Sequence, residues 1–215
     1  MTSQTIYRLS GGILIVGSLF TIIGLLLHPS GNTPVNYLSP IWFPANLLIL
    51  VGALLVALGL PGMYARQAER AGKLGLVGFT LTFCVVLLFN IALGAIETFL
   101  FPTLAANATT RSLLTGPLPA TYSRFILVAV LLELVGPVLL GIATLRANIF
   151  PRWTGWLLIA IPALVLIGFF VSLPGPLAQL DAVVLNLSLA GMGFSLLARR
   201  GETAQVQPVV SPTSS

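Results

Sequence analysis

The sequence predicts an all-α fold, a polytopic bundle of six transmembrane helices with both termini in the cytoplasm, and three observations predict it. The first is composition. Of 215 residues 57% are hydrophobic and only 7% charged, whereas a water-facing surface carries far more charge. The second is segmentation into six apolar stretches, at about 11–28, 42–60, 74–96, 122–145, 153–173 and 177–198. Each is close to the roughly 20 residues that cross a hydrocarbon core. The third is charge asymmetry. Arg8, Arg66, Arg70, Lys73, Arg146, Arg152, Arg199 and Arg200 fall on one set of alternate connections, and only Arg111 and Arg124 on the other. The positive-inside rule makes the first set cytoplasmic.

The first stretch follows Arg8 and runs apolar from Ile13 to Leu27. A cleaved signal peptide needs a small-x-small site, which His28-Pro29-Ser30 does not provide, so a retained first span is expected. Gly17, Thr21, Gly24 and His28 recur along one helix face as a small and polar seam suited to close helix contact. The run from His28 to Pro34 is a Pro/Gly/Asn/Ser turn. The second stretch begins at Trp42, carries Asn46, and is followed by the cations at 66, 70 and 73.

The third stretch carries Cys84, the only cysteine, which excludes an intramolecular disulfide and a cysteine-rich metal site and reads as an inert buried thiol. Asn90, Gly94 and Glu97 form a polar line towards its end. The link at about 97–121 is the long external connection. Its Thr103–Leu114 portion mixes Leu and Ala with Asn, Thr and Arg, so a short helix on the outer interface is expected. Asn107-Ala108-Thr109 matches a glycosylation acceptor, relevant only in a eukaryotic secretory pathway.

The fourth stretch opens at Arg124 and contains Glu133 near its centre, with Gly136-Pro137 just beyond. Arg146 and Arg152 separate it from the fifth, and Pro174-Gly175-Pro176 separates the fifth from the sixth. In the sixth, Asp181, Ser188 and Ser195 recur every seven residues. Residues 1–198 thus form one transmembrane domain, and 199–215 are a polar, proline-containing cytoplasmic tail of disordered composition. All three Trp and all four Tyr sit at or just outside the ends of these stretches, where amphipathic rings prefer the headgroup level. The second and third stretches resemble the fourth and fifth in outline, at chance level, so no internal repeat is inferred.

Glu133 most needs explaining. An acidic residue at a helix centre costs about 2.5–3.5 kcal/mol on insertion scales, and a neutral, hydrogen-bond-donating carboxyl is its expected form. Pro137 lacks the N–H that would have bonded the Glu133 carbonyl, so a polar side chain and a freed backbone acceptor coincide. Glu133 with Asn90, Asn186, Ser188 and Thr21 forms a candidate intramembrane polar site. The bland reading is a hydrogen-bonded clasp between helices. Nearer the outer face, His28, Asn46, Glu97, Arg124 and Asp181 form a candidate vestibule. Structurally, Glu97 and Arg124 would pair as ions at the mouth of their hairpin, and Asp181 would complement a helix dipole.

Gly59-Leu60-Pro61-Gly62-Met63-Tyr64-Ala65-Arg66-Gln67, Phe101-Pro102-Thr103-Leu104, Gly141-Ile142-Ala143-Thr144-Leu145-Arg146 and Pro151-Arg152-Trp153-Thr154-Gly155 resemble signatures of an uncharacterised group of six-span bacterial integral membrane proteins. The resemblance covers the chain to about residue 198. It implies a bacterial plasma membrane location and carries over no activity and no functional residue.

The net charge of +5 is spread singly over helix ends, which excludes a nucleic-acid binder. No phosphate loop, metal-ligand cluster, nucleophile elbow or dinucleotide fingerprint occurs, so neither a metal nor a cofactor is expected. Three functional classes remain. The first is proton-linked binding or transport of a lipophilic small molecule through Glu133. The second is an intramembrane enzyme acting on a lipid or isoprenoid, with Glu133 as general acid. The third is a homo-oligomer or subunit of a larger membrane complex that uses the glycine seams for contact. Binding or transport ranks first, because the polar groups are spread over depth as a path requires.

Overall fold

A computed structural model describes residues 3–198 apart from 30, 32, 118 and 172–174. The tail expected over 199–215 and the end of the fifth stretch lie outside the described residues. The elements in order are α1 (Ser3–Leu27), α2 (Pro34–Tyr37), α3 (Trp42–Val85), two π-helical segments (Val86–Leu93 and Ile96–Leu100), α4 (Phe101–Ala106), α5 (Ser112–Thr115), α6 (Ala120–Ala147), α7 (Arg152–Phe170), a 3-10 turn (Gly175–Gln179) and α8 (Leu180–Ala198). The described residues contain no strand, so the fold is all-α.

Five helical stretches are long and apolar enough to cross a membrane, and one of them runs 65 residues from Trp42 to Ala106. That stretch is not one rod. Gly72 has φ 58° and ψ −159°, which breaks the helical path. Tyr64 and Phe79 stack with ring centroids 4.5 Å apart, although fifteen residues of straight helix would separate them by about 22 Å. The chain therefore doubles back at Gly72, and α3 has two arms, 42–71 and 73–85, the second continued by the π-helical segments. Helix persists well past residue 60, where the apolar stretch ends. The extension is held from the side: Thr144 Oγ1 on α6 donates to Gln67 Oε1 at 3.2 Å, while Gln67 Nε2 contacts Met63 Sδ at 3.7 Å.

The helices close into a ring. The first arm of α3 packs on α1, α1 on α8, α8 on α7, α7 on α6, and α6 on the second arm of α3. Glycines set the contacts: a Cβ on Gly17 would stand 2.8 Å from the Gly52 carbonyl oxygen, one on Gly11 2.6 Å from that of Gly193, and one on Gly141 2.7 Å from that of Gly155. In lipid, helices associate through such close backbone approach because burial of apolar surface no longer discriminates. Leu14, Leu60, Leu140, Leu158, Leu189 and Met192 fill the centre. Large apolar side chains also cover the outside, Phe170 at 85% exposure and Leu58 at 68% among them. A surface of that kind is matched by hydrocarbon and marks a membrane-embedded protein.

Asn148 closes α6 in the left-handed conformation, φ 50° and ψ 35°, its N–H returning to the Thr144 carbonyl, and α7 starts four residues later. This connection and Gly72 share one end of the bundle. The end of α1, the start of α3, the π-helical segments, the start of α6 and the start of α8 share the other. Here α4 and α5 occupy the region expected to hold a short interfacial helix, tied together by Arg111 Nε donating to the Ala105 carbonyl at 2.9 Å. Trp153 and Trp156 are exposed, as an interfacial girdle requires, but Trp42 is only 1% exposed. Trp42 is not a headgroup anchor. Its indole N–H is consumed by the Glu97 carbonyl, and its ring lies against His28 and Tyr37.

Candidate functional site, an acidic cavity

The site is made where the third apolar stretch abandons regular α-helix. A π turn accommodates one extra residue and re-aims the side chains that follow, so the line Asn90, Gly94, Glu97 turns inward over Val86–Leu100. Backbone carbonyls loosened by this winding are met by side chains. Thr98 Oγ1 donates to the Gly94 carbonyl at 2.6 Å, and Trp42 Nε1 to that of Glu97 at 2.9 Å.

Behind this segment lies a cavity of about 240 Å³ whose polar lining is His28, Asn90, Glu97, Glu133, Gln179 and Asp181. A second cavity of about 200 Å³ lies between α6, α7 and the start of α8, lined by Val130, Leu164, Val165, Gly168 and Phe169. Both share Phe89, Glu133, Ala178 and Asp181, so they meet at the carboxyl pair. Glu133 is 7% exposed, and its side chain hydrogen-bonds that of Asp181. Asp181 stands in the first turn of α8, where an acidic side chain complements the helix dipole.

Charge is distributed unevenly. Five acidic residues occur in the whole chain, and Glu97, Glu133 and Asp181 all line this space. Among the described residues no Lys or Arg lines either cavity. The carboxyls surround the space without converging on a point: among the described residues no three His, Cys, Asp or Glu side chains gather closely enough to hold a metal ion. His28 stands one residue beyond the end of α1, half-buried, with Nδ1 3.4 Å from Gln179 Nε2. Burial pushes its imidazole below the ordinary histidine value, opposed by the hydrogen bonds the ring donates to the Pro29 backbone and the Asn46 side chain. Gln179 Oε1 is buried and has no partner among the described residues.

The two groups read from the sequence are regrouped by the structure. Asp181 and Glu97, expected in an outer vestibule, share the cavity with Glu133 and Asn90, expected deeper. The cause is unequal helix length. The 28 residues of α6 span about 42 Å, whereas α7 and α8, with 19 each, span about 28 Å. Counting up from the shared α6–α7 connection, the top of α7 lies only about a turn above Glu133. The centre of α6 therefore meets the end of the α7–α8 hairpin.

The other candidates do different work. Thr21 donates to the Gly17 carbonyl and Asn186 to that of Ala182, each within its own helix. Ser188 donates to the Thr154 carbonyl at 2.8 Å and clamps α8 to α7. Asn46 donates to the Trp42 carbonyl and reaches His28. Arg124 is exposed, and the ion pair expected with Glu97 is absent among the described residues, because the π-helical winding turns Glu97 inward. Gln179, Phe89 and Gly168 were not read from the sequence as site residues. Gln179 alone left a trace there, as a polar residue shortly after Pro176. No protein-family model, no curated protein and no solved structure matches this chain.

Proposed function

We propose that this protein is a proton-linked binding protein or transporter for a small molecule, acting through the cavity around Glu133. One observation carries the reading: three of the chain's five carboxyl side chains line two adjoining cavities with no Lys or Arg among their described lining residues. Two touching carboxyls hold one proton between them more readily than two charges. A ligand that brings positive charge or hydrogen-bond donors displaces that proton, so binding and protonation are linked.

The same reading includes six membrane passes, both termini cytoplasmic, in a bacterial plasma membrane. The reversal at Gly72 supports the sixth pass, and the cations flanking it lie at the same end of the bundle as Arg146 and Arg152. The resemblance to six-span bacterial proteins supports the location. Labelling of single cysteines placed over 66–73 by an impermeant thiol reagent tests the orientation. Reaction in intact cells refutes it.

A second reading, an intramembrane enzyme on a lipid or isoprenoid, draws on the facing carboxyls of Glu133 and Asp181. Two carboxyls together in the wall of a cavity suit proton and cation binding without any reacting group, so binding is preferred. The complex-subunit reading loses its surface, since the glycine seams of α1 are occupied by α3 and α8.

The functional test compares Glu133→Gln with wild type in one detergent, screening lipophilic small molecules for thermal stabilisation from acidic to alkaline pH. Gln retains volume and hydrogen bonding but cannot ionise. The reading requires a stabilising compound whose pH dependence disappears in Glu133→Gln. It is wrong if every stabilising compound acts equally on both proteins.

A further inference from the structure

We infer that the ligand is a lipophilic primary amine in its protonated form, and that it enters sideways from the bilayer through the gap beside Gly168 between α6 and α7. The inference rests on the binding role proposed for the Glu133 cavity and adds the chemistry of the ligand and its route.

Two kinds of glycine occur in this bundle, and the distinction carries the route. Gly11, Gly17, Gly52 and Gly141 are filled against neighbouring backbone. Gly168 is different: a Cβ there would meet no atom of the described residues within 4 Å. It lines the smaller cavity together with Val130, Leu164 and Phe169. Its neighbours Leu166, Ile167 and Phe170 are exposed on the apolar exterior. An opening in that position communicates with lipid and offers only hydrocarbon and one aromatic ring to what passes. Gly94, on the wall of the larger cavity, is likewise loose, with Leu50 Cδ1 4.0 Å away as its nearest contact.

The inner end of that route sets the charge. Glu133 and Asp181 stand where the two lobes join, with Glu97 beyond and the Phe89 ring bordering both lobes. Carboxylate oxygens and Gln179 Oε1, which has no partner among the described residues, make this end rich in acceptors. A primary ammonium presents three donors and one positive charge, and it also gains from the face of an aromatic ring. A quaternary ammonium lacks the donors. An anion is repelled, and a sugar would find no hydrogen-bonding groups in the apolar lobe.

The test uses three compounds of one shape: 1-naphthylmethylamine, 1-naphthalenemethanol and 1-naphthoate. Binding to the full chain is measured in nanodiscs of zwitterionic phosphatidylcholine, so that the amine is not concentrated by anionic lipid. The amine should bind tighter than the alcohol by about tenfold or more, and the naphthoate should bind weakest. Gly168→Phe should weaken amine binding by a similar factor without lowering the melting temperature, because the added ring fills open space. Gly12→Phe, also at an open glycine but lining neither cavity, should change nothing. Equal binding of amine and alcohol, both lost in Glu133→Gln, would refute the amine and leave the binding role standing. Amine binding indifferent to Glu133→Gln would remove both. Amine binding unchanged by Gly168→Phe would overturn the lateral route, and no binding by any of the three would overturn the ligand class.

Discussion

Glu133→Leu combined with Asp181→Leu in a double-mutant cycle measures the contact on which the cavity turns. Interhelical hydrogen bonds in membranes average about 0.6 kcal/mol and reach about 1.7 kcal/mol. Two features place this pair in the upper half of that range. Glu133 is 7% exposed, so little water competes for its carboxyl, and the partners sit on separate helices, α6 and α8. A third feature limits the loss: Asp181 keeps its place in the first turn of α8, where the helix dipole favours a carboxylate, when Glu133 is removed. The expected coupling is therefore about 1–1.7 kcal/mol. Unfolding by titration with sodium dodecyl sulfate, followed by circular dichroism, provides the four free energies. Glu133→Gln should retain most of the stability, since its amide still donates to Asp181. A coupling within about 0.3 kcal/mol of zero is what independent sites give and would mean that the carboxyls do not touch.

Gly72→Ala should destabilise by about 1–3 kcal/mol from backbone strain alone, because its φ of 58° is costly for any L side chain while the space around it is open. A melting temperature equal to wild type would contradict the reversal there. Thr144→Val, nearly isosteric, should cost about 1–2 kcal/mol by leaving Gln67 Oε1 without its donor, whereas Gln67→Leu in that background should cost little more. Non-additive losses by thermal denaturation would confirm the clasp. His28 should titrate below the ordinary histidine value by proton NMR. The folded value lies below the unfolded one, so neutral His28 contributes stability above the unfolded value, and that contribution is lost as pH falls through the folded value. Asn46 and Gln179, which contact the ring, carry no charge, whereas Glu97 and Asp181 share its cavity; a midpoint above the ordinary value would show that their charge outweighs burial.

The helices were legible because hydrocarbon imposes length and composition on whatever crosses it. A break between the stretches at 42–60 and 74–96 is legible from the polar, cation-bearing run over 61–73, but its position at Gly72 is not, because helix persists through most of that run. Glu133 was legible as an anomaly by itself, for a carboxyl amid Leu and Val has no structural excuse. Its partner was not. Equal spans place Asp181 at another depth, and nothing local to the sequence there reveals that α7 stops at Phe170 and α8 starts at Leu180, about a turn above Glu133. The inward turn of Glu97 was equally hidden: π winding over Val86–Leu100 depends on tertiary partners such as Trp42, fifty-five residues from Glu97. Trp42 itself misled, because an aromatic at a helix end signals the headgroup level whether or not a neighbouring helix covers it.

The shortness of the α7–α8 hairpin bears on the solvent as well as on the protein. A wall that ends about a turn above Glu133 presents the bilayer with hydrophobic mismatch there, and lipid answers mismatch by thinning locally or by tilting the helices beside it. The low wall is the one that carries Gly168 and stands next to Glu133 and Asp181. Headgroups and water drawn down along it approach the carboxyls more closely than the mid-depth position of Glu133 on α6 implies. Membrane thickness thereby becomes a variable of the site, and the acyl-chain length of the host bilayer sets how wet the carboxyl pair is.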